Sequence, residues 1–193
     1  MSNPEICPIG SICPNTGMSV PIPCPPGSYC PTTGMTIGTL CPSGRFNTIS
    51  GAKSIDDCLS CDIGYYCLNG NKNICNRPGY SCPQKGLSEP LPCAIGTFNA
   101  NGGPTCDLCP IGTICPNQAT VNPKSCPEGY YCPDKGMTTG TACIRGTYNP
   151  SKGKTSITDC LECQIGNYCP STAMISQEPC PKGSFCPSIG LSN

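Results

Sequence analysis

The sequence predicts a fold of small disulfide-rich repeats, mostly loops and short β-ribbons with little or no helix, strung in an extended linear array. Three observations predict it. Cysteine fills 22 of 193 positions, a density that marks a disulfide scaffold in a secreted chain. Glycine (23) and proline (24) interrupt the chain too often for a helical stripe to run. The cysteines also recur at fixed intervals.

Composition comes first because it limits the core. There are no long apolar runs and no Trp, and Phe occurs only 3 times. Units with so little to bury need staples, and the cysteines are the only candidates. Disulfides persist outside the cell or in the secretory lumen, so an extracellular or cell-surface location is expected. The residues after Met1 hold no signal peptide and the chain holds no membrane-spanning stretch, so we read it as a piece of a longer precursor. Eleven basic and 11 acidic residues cancel. Such a surface has no pull toward nucleic acid or an anionic membrane.

The spacing defines the units. Cys7, 13, 24, 30, 41, 58, 61 and 67 recur as Cys109, 115, 126, 132, 143, 160, 163 and 169 at a constant offset of 102 residues. The segments CPPGSYCPTTGMTIGTLCPSGRFN and CPEGYYCPDKGMTTGTACIRGTYN align, with Gly27/Gly129, Tyr29/Tyr131, Gly34/Gly136 and Met35/Met137 identical. The expected domains are repeat 1 (1–60), repeat 2 (61–108), repeat 3 (109–162) and a partial repeat 4 (163–193). Within each runs C-x-x-G-x-[aromatic or Ile]-C, as in CPIGSIC, CDIGYYC and CPKGSFC; CNRPGYSC (75–82) carries one extra residue. A second motif closes the unit: CPSGRFNTISGAKSIDDCLSC, CAIGTFNANGGPTCDLC and CIRGTYNPSKGKTSITDCLEC. The glycine three residues after each cysteine is expected at positive φ in a tight turn. The aromatic two positions on should then lie against the disulfides.

Rival chemistries fare poorly. The C-x-x-C pairs 58–61, 106–109 and 160–163 are too far apart for a zinc ribbon and lack any His. Their acidic neighbours Asp57, Asp107 and Glu162 would disfavour a reactive thiolate. Without His, Ser-His and Cys-His nucleophile pairs cannot form. Asp56 and Asp57 read as a solvated loop. No catalytic residue, cofactor site or metal site is assigned. No N-x-[ST] sequon occurs with x other than Pro. Thr32, Thr33, Thr138 and Thr139 are candidate acceptors of O-linked glycans, which would make the chain a glycoprotein.

These motifs resemble the ephrin-receptor-like cysteine-rich repeats, relatives of tumour-necrosis-factor-receptor and laminin-type EGF-like modules, over nearly the whole chain from Cys7 to Cys186. Such repeats occur in protist surface proteins and in mastigoneme proteins. The resemblance implies elongated stacks, adhesion and filament building. It also implies disulfides across the long closing spacings, Cys41–Cys58, Cys93–Cys106 and Cys143–Cys160. The other cysteines form groups of four, and each group allows three pairings. The pairing taken is first-to-third and second-to-fourth: Cys7–Cys24 and Cys13–Cys30, Cys61–Cys75 and Cys67–Cys82, Cys109–Cys126 and Cys115–Cys132, Cys163–Cys180 and Cys169–Cys186. The function expected is a disulfide-stapled rod in a surface filament or appendage. The alternative is a receptor or adhesin ectodomain that binds a protein ligand. The few arginines (Arg45, Arg77, Arg145) and the repeat-bound tyrosines favour the structural role. Partners would be further copies of the chain, end to end, or other surface glycoproteins.

Overall fold

The computed structural model describes residues 4–192. Among them are twenty short strands in ten two-stranded ribbons and two single-turn 3-10 helices, Ile55–Asp57 and Ile157–Asp159, with no α-helix. The chain divides into two compact units, Met1–Leu91 with Gly102–Thr105, and Pro92–Asn101 with Cys106–Asn193.

Each C-x-x-G motif makes one tight turn. In the first, the Ser11 amide donates to the Pro8 carbonyl at 3.1 Å and Gly10 sits at φ +84°. A positive φ at the third turn residue is what a type II turn requires. The residues after the glycine form a strand that pairs with the stretch just before the next turn. Ser11–Ile12 thus pairs antiparallel with Ile22–Pro23, and Ser28–Tyr29 with Thr39–Leu40. In the second unit Thr113–Ile114 pairs with Lys124–Ser125, and Tyr130–Tyr131 with Thr141–Ala142. Such two-residue ribbons are too short to hold themselves.

The tight turn fixes the disulfides, and here the sequence reading needs correction. The bonds are Cys7–Cys13, Cys24–Cys30, Cys61–Cys67, Cys75–Cys82, Cys109–Cys115, Cys126–Cys132, Cys163–Cys169 and Cys180–Cys186. They are first-to-second and third-to-fourth, not first-to-third and second-to-fourth. The reason is local. The glycine reverses the chain within the motif, which brings Cys7 and Cys13 to a Cα separation of 5.9 Å, inside the range a disulfide spans. The long closing loops are bridged as Cys41–Cys58, Cys93–Cys106 and Cys143–Cys160. Every turn therefore carries one disulfide, and no cysteine is free among the described residues.

Backbone hydrogen bonds then stack each turn on the next within a unit. The Gly10 amide donates to the Cys30 carbonyl (2.9 Å), the Cys13 amide to Met35 (2.8 Å), and the Gly34 amide back to Cys7 (2.8 Å). The same triad links the Cys109 and Cys126 turns through Gly112 to Cys132, Cys115 to Met137 and Gly136 to Cys109. The stacking is so close that a Cβ on Gly44 (φ +81°) would lie 2.2 Å from the Gly86 carbonyl oxygen. Buried cystines make up most of the core, joined by Phe46, Ala52 and Leu87.

Candidate functional site

The recurring structural feature is the joint between consecutive turns. At two joints the side chain two positions after the turn glycine packs on the disulfide of the following turn. Phe46, of the Cys41 turn, packs with Cys61 and Cys67. Tyr66, of the Cys61 turn, packs against Cys75, Cys82 and Leu87. Aromatic area against sulfur stands in for an aliphatic core.

One joint carries a polar cap. The ribbon of Tyr65–Leu68 and Asn71–Ile74 is the longest, and its Asn69-Gly70 corner has both residues at positive φ, as a two-residue hairpin loop prefers. This ribbon carries the Lys72 ammonium over the Tyr65 ring at 4.3 Å and the Phe46 ring at 4.9 Å. The same ammonium ion-pairs with Asp62. Its hydrogen bond and positive charge hold the Asp62 carboxyl below the usual aspartate range. Arg77 lies 3.7 Å from the centre of the Tyr80 ring.

The closing loops carry a second device. In the first, the Asn47 side-chain amide donates to the Ser28 carbonyl at 3.0 Å, and its oxygen accepts from the Ile49 amide at 2.8 Å. In the third, fully buried Asn149 does the same between Tyr130 (2.8 Å) and Ser151 (3.0 Å). The sequence reading quoted both GRFN and GTYN but gave their asparagines no role. The signal was an Asn immediately after the packed aromatic, where a side chain can satisfy backbone groups. Asp57 was read as part of a solvated loop. It is half-buried, accepts from the amides of Lys53 (2.8 Å) and Ser54 (3.0 Å) and completes a capping box on Ile55–Asp57. Those two bonds lower its pKa, Ser54 foremost. Asp159 is lowered in the same way by Ser156 and Thr155.

The remaining residues singled out from the sequence stay apart. The guanidinium of Arg45 donates to the Cys58 carbonyl at 3.0 Å, a brace within the loop. In each C-x-x-C pair the two cysteines bond elsewhere: Cys58 to Cys41 and Cys61 to Cys67, Cys106 to Cys93 and Cys109 to Cys115, Cys160 to Cys143 and Cys163 to Cys169. These pairs are boundaries between turns and offer no thiol for exchange or coordination. Thr32, Thr33 and Thr139 are exposed, and Thr138 is half-buried.

Residues 15–58 match the family described as Tyrosine-protein kinase ephrin type A/B receptor-like. That stretch is similar to an ephrin-receptor-like cysteine-rich repeat. The matched stretch takes in the Cys24–Cys30 turn and the whole Cys41–Cys58 loop, and the 102-residue offset reproduces both at Cys126–Cys132 and Cys143–Cys160. No curated protein matches the chain. An ephrin-receptor-like repeat is a receptor-like cysteine-rich module and not an enzyme family. Together with eleven disulfides it indicates an extracellular or secreted protein. No helix among the described residues is long and apolar enough to cross a membrane.

Proposed function

We propose that the chain is a structural segment, a disulfide-stapled rod in a surface filament or appendage of the mastigoneme kind. The observation that carries this reading is the repetition of one joint, with a cystine in every turn and backbone bonds from each turn to the next. A stack of this type has nearest-neighbour cohesion and resists extension locally, since each turn is closed by its own bridge. The test is immunogold electron microscopy of the native surface material with an antibody to this chain. Gold decorating filaments or appendages is expected. Gold confined to the plasma membrane, with a stoichiometric soluble ligand co-purifying, overturns the reading.

The second reading, a receptor or adhesin ectodomain, draws on a ribbon longer than its counterpart at the Cys163 turn. The Tyr65–Ile74 hairpin presents exposed Asn71 and Lys72 beside the Asp62 carboxylate. A protein ligand would meet a polar rim there over the Tyr65 ring. Loss of ligand co-purification on Lys72→Ala would mark this surface as the binding face.

A further inference from the structure

We infer that the chain is an extensible element: under load its unbridged arms straighten one joint at a time, and its bridges set the length at which extension stops. The extensibility follows from the covalent map; its use in a filament rests on the structural reading above.

The corrected pairing carries the inference. Each bridge closes before the next one opens, so among the described residues no disulfide ties one turn to another. First-to-third and second-to-fourth pairing would have interlocked consecutive turns and barred their separation. As built, the joints hold by non-covalent contacts alone. Arm 31–40, between Cys30 and Cys41, shows this. Its Thr39–Leu40 strand pairs with Ser28–Tyr29 of its own turn. Towards the turn before, the Gly34 amide donates to the Cys7 carbonyl and the Met35 carbonyl accepts from the Cys13 amide. Pulling the arm straight breaks these hydrogen bonds and no S–S bond. The Cys24–Cys30 and Cys41–Cys58 loops at its ends stay closed.

Two kinds of connection alternate along the chain. Arms 14–23, 31–40, 83–92, 116–125, 133–142 and 170–179 have ten residues, and arm 68–74 has seven. A ten-residue arm spans at most about 40 Å when straight. The C-x-x-C boundaries leave only Leu59–Ser60, Asp107–Leu108 and Leu161–Glu162 between bridges, and each of these spans at most about 10 Å. These boundaries are therefore stiff nodes between stretchable arms. The bridged loops hold just over half of the backbone from Cys7 to Cys186. Fully straightened, that stretch reaches about 350 Å with its bridges intact and about 630 Å without them. On release each arm closes again over a short distance, because its flanking turns never opened, and short loops lose little entropy on closure.

Single-molecule stretching of the oxidised 193-residue chain, held by tags at both termini and with its disulfide map checked, tests this. Successive steps of at most about 40 Å are expected, up to a stretched Cys7–Cys186 span of about 350 Å. Relaxed and pulled again, the chain should retrace the same steps. A phosphine reductant should raise the limit to about 630 Å. Two insertions of four residues separate arm from loop. Between exposed Thr32 and Thr33 the insertion should add about 14 Å to the oxidised limit. Between exposed Ile49 and Ser50, inside the Cys41–Cys58 bridge, it should add nothing, and in reductant the two variants should gain equally. If the loop insertion fails to oxidise, the arm insertion and the wild type decide alone. One rupture that releases the whole length at once, an oxidised limit at the reduced value, or an arm insertion that adds no length overturns the inference. All-or-none rupture of a chain that decorates filaments with gold sinks the extensibility and leaves the structural reading; stepwise stretching of a chain absent from filaments does the reverse.

Discussion

The long closing loops, Cys41–Cys58 and Cys143–Cys160, and the short one, Cys93–Cys106, solve one problem with different means. All three hand the chain to the next turn through an isolated parallel bridge from their aromatic: Phe46 to Gly70, Phe98 to Thr120 and Tyr148 to Met174. The long loops, with cysteines 17 residues apart, have room for a capping box and a buried asparagine that ties the loop to the turn before it. The short loop, with cysteines 13 apart, has no 3-10 helix. Instead Gly102 approaches the Asn76–Arg77 backbone, where a Cβ would meet the Asn76 carbonyl carbon at 2.5 Å. The asparagine after the aromatic accepts from the amide two residues on in all three loops, Asn99 from Asn101 at 3.2 Å in the short one, so length decides only the capping box.

The largest effects should follow the staples. Replacing Cys143 and Cys160 by Ser is expected to cost about 3 kcal/mol, against about 2 kcal/mol for the six-residue Cys126–Cys132 bridge, because the longer loop regains more freedom on unfolding. Denaturant unfolding of the two double variants measures the difference, and equal losses would break the loop-length argument. Next comes Asn149→Ala. It empties a fully buried side-chain site and leaves the half-buried Tyr130 and exposed Ser151 backbone groups without their partner, at a cost of about 1 kcal/mol. Asn47→Ala should match it, since the two loops are built alike; a loss confined to one of them would show that the latch is not shared.

The fold class could be read from the cysteine spacing and the Gly-Pro density, which together forbid helices and force staples. The positive-φ glycines were equally legible, because C-x-x-G names a turn. The connectivity within each four-cysteine group was not. Counting gives three pairings and no way to rank them, and the ranking comes from a distance that exists only once Gly10 has turned the chain. The joints were half legible. The aromatic was expected on a disulfide, but the disulfide it finds is the next turn's, and stacking between turns leaves no trace in the spacing. Asn47 and Asn149 looked like ordinary loop polars because their partners, Ser28 and Tyr130, lie 19 residues away.

A smaller effect, of opposite sign, tests the hand-over shared by all three loops. Among the described residues the non-glycine positions at positive φ are Asn69 (53°), Ala119 (54°) and Ala173 (57°), and each immediately precedes the residue bridged to a closing-loop aromatic. Asparagine tolerates that region and alanine does not. Ala119→Gly and Ala173→Gly should therefore each stabilise by about 0.5–1 kcal/mol, the relief of strain outweighing the extra freedom of the unfolded chain. Asn69→Ala should destabilise. A melting temperature that falls for both glycine variants would mean that the alanine methyls pack against something worth more than the strain.

The smallest effect lies in the caps that only the long loops possess. Asp57 and Asp159 are held below the usual aspartate range by backbone amides, Ser54 and Lys53 for the first, Ser156 and Thr155 for the second. A carboxyl whose folded pKa is depressed binds its proton more readily when unfolded. Its contribution is therefore complete above the unfolded value and is lost as pH falls through the folded one. Both groups are half-buried at the surface, where solvent still screens them, so the loss is a shallow acid limb beginning below about pH 4. Asp57→Asn with Asp159→Asn should flatten that limb and leave stability at neutral pH only slightly lower, since an amide oxygen still accepts one bond. What remains of the limb should come from Asp62, whose carboxyl is lowered by Lys72, and should vanish on adding Lys72→Met. An acid limb of unchanged slope in the Asp57/Asp159 double variant would mean that the capping boxes shape the long loops without stabilising them.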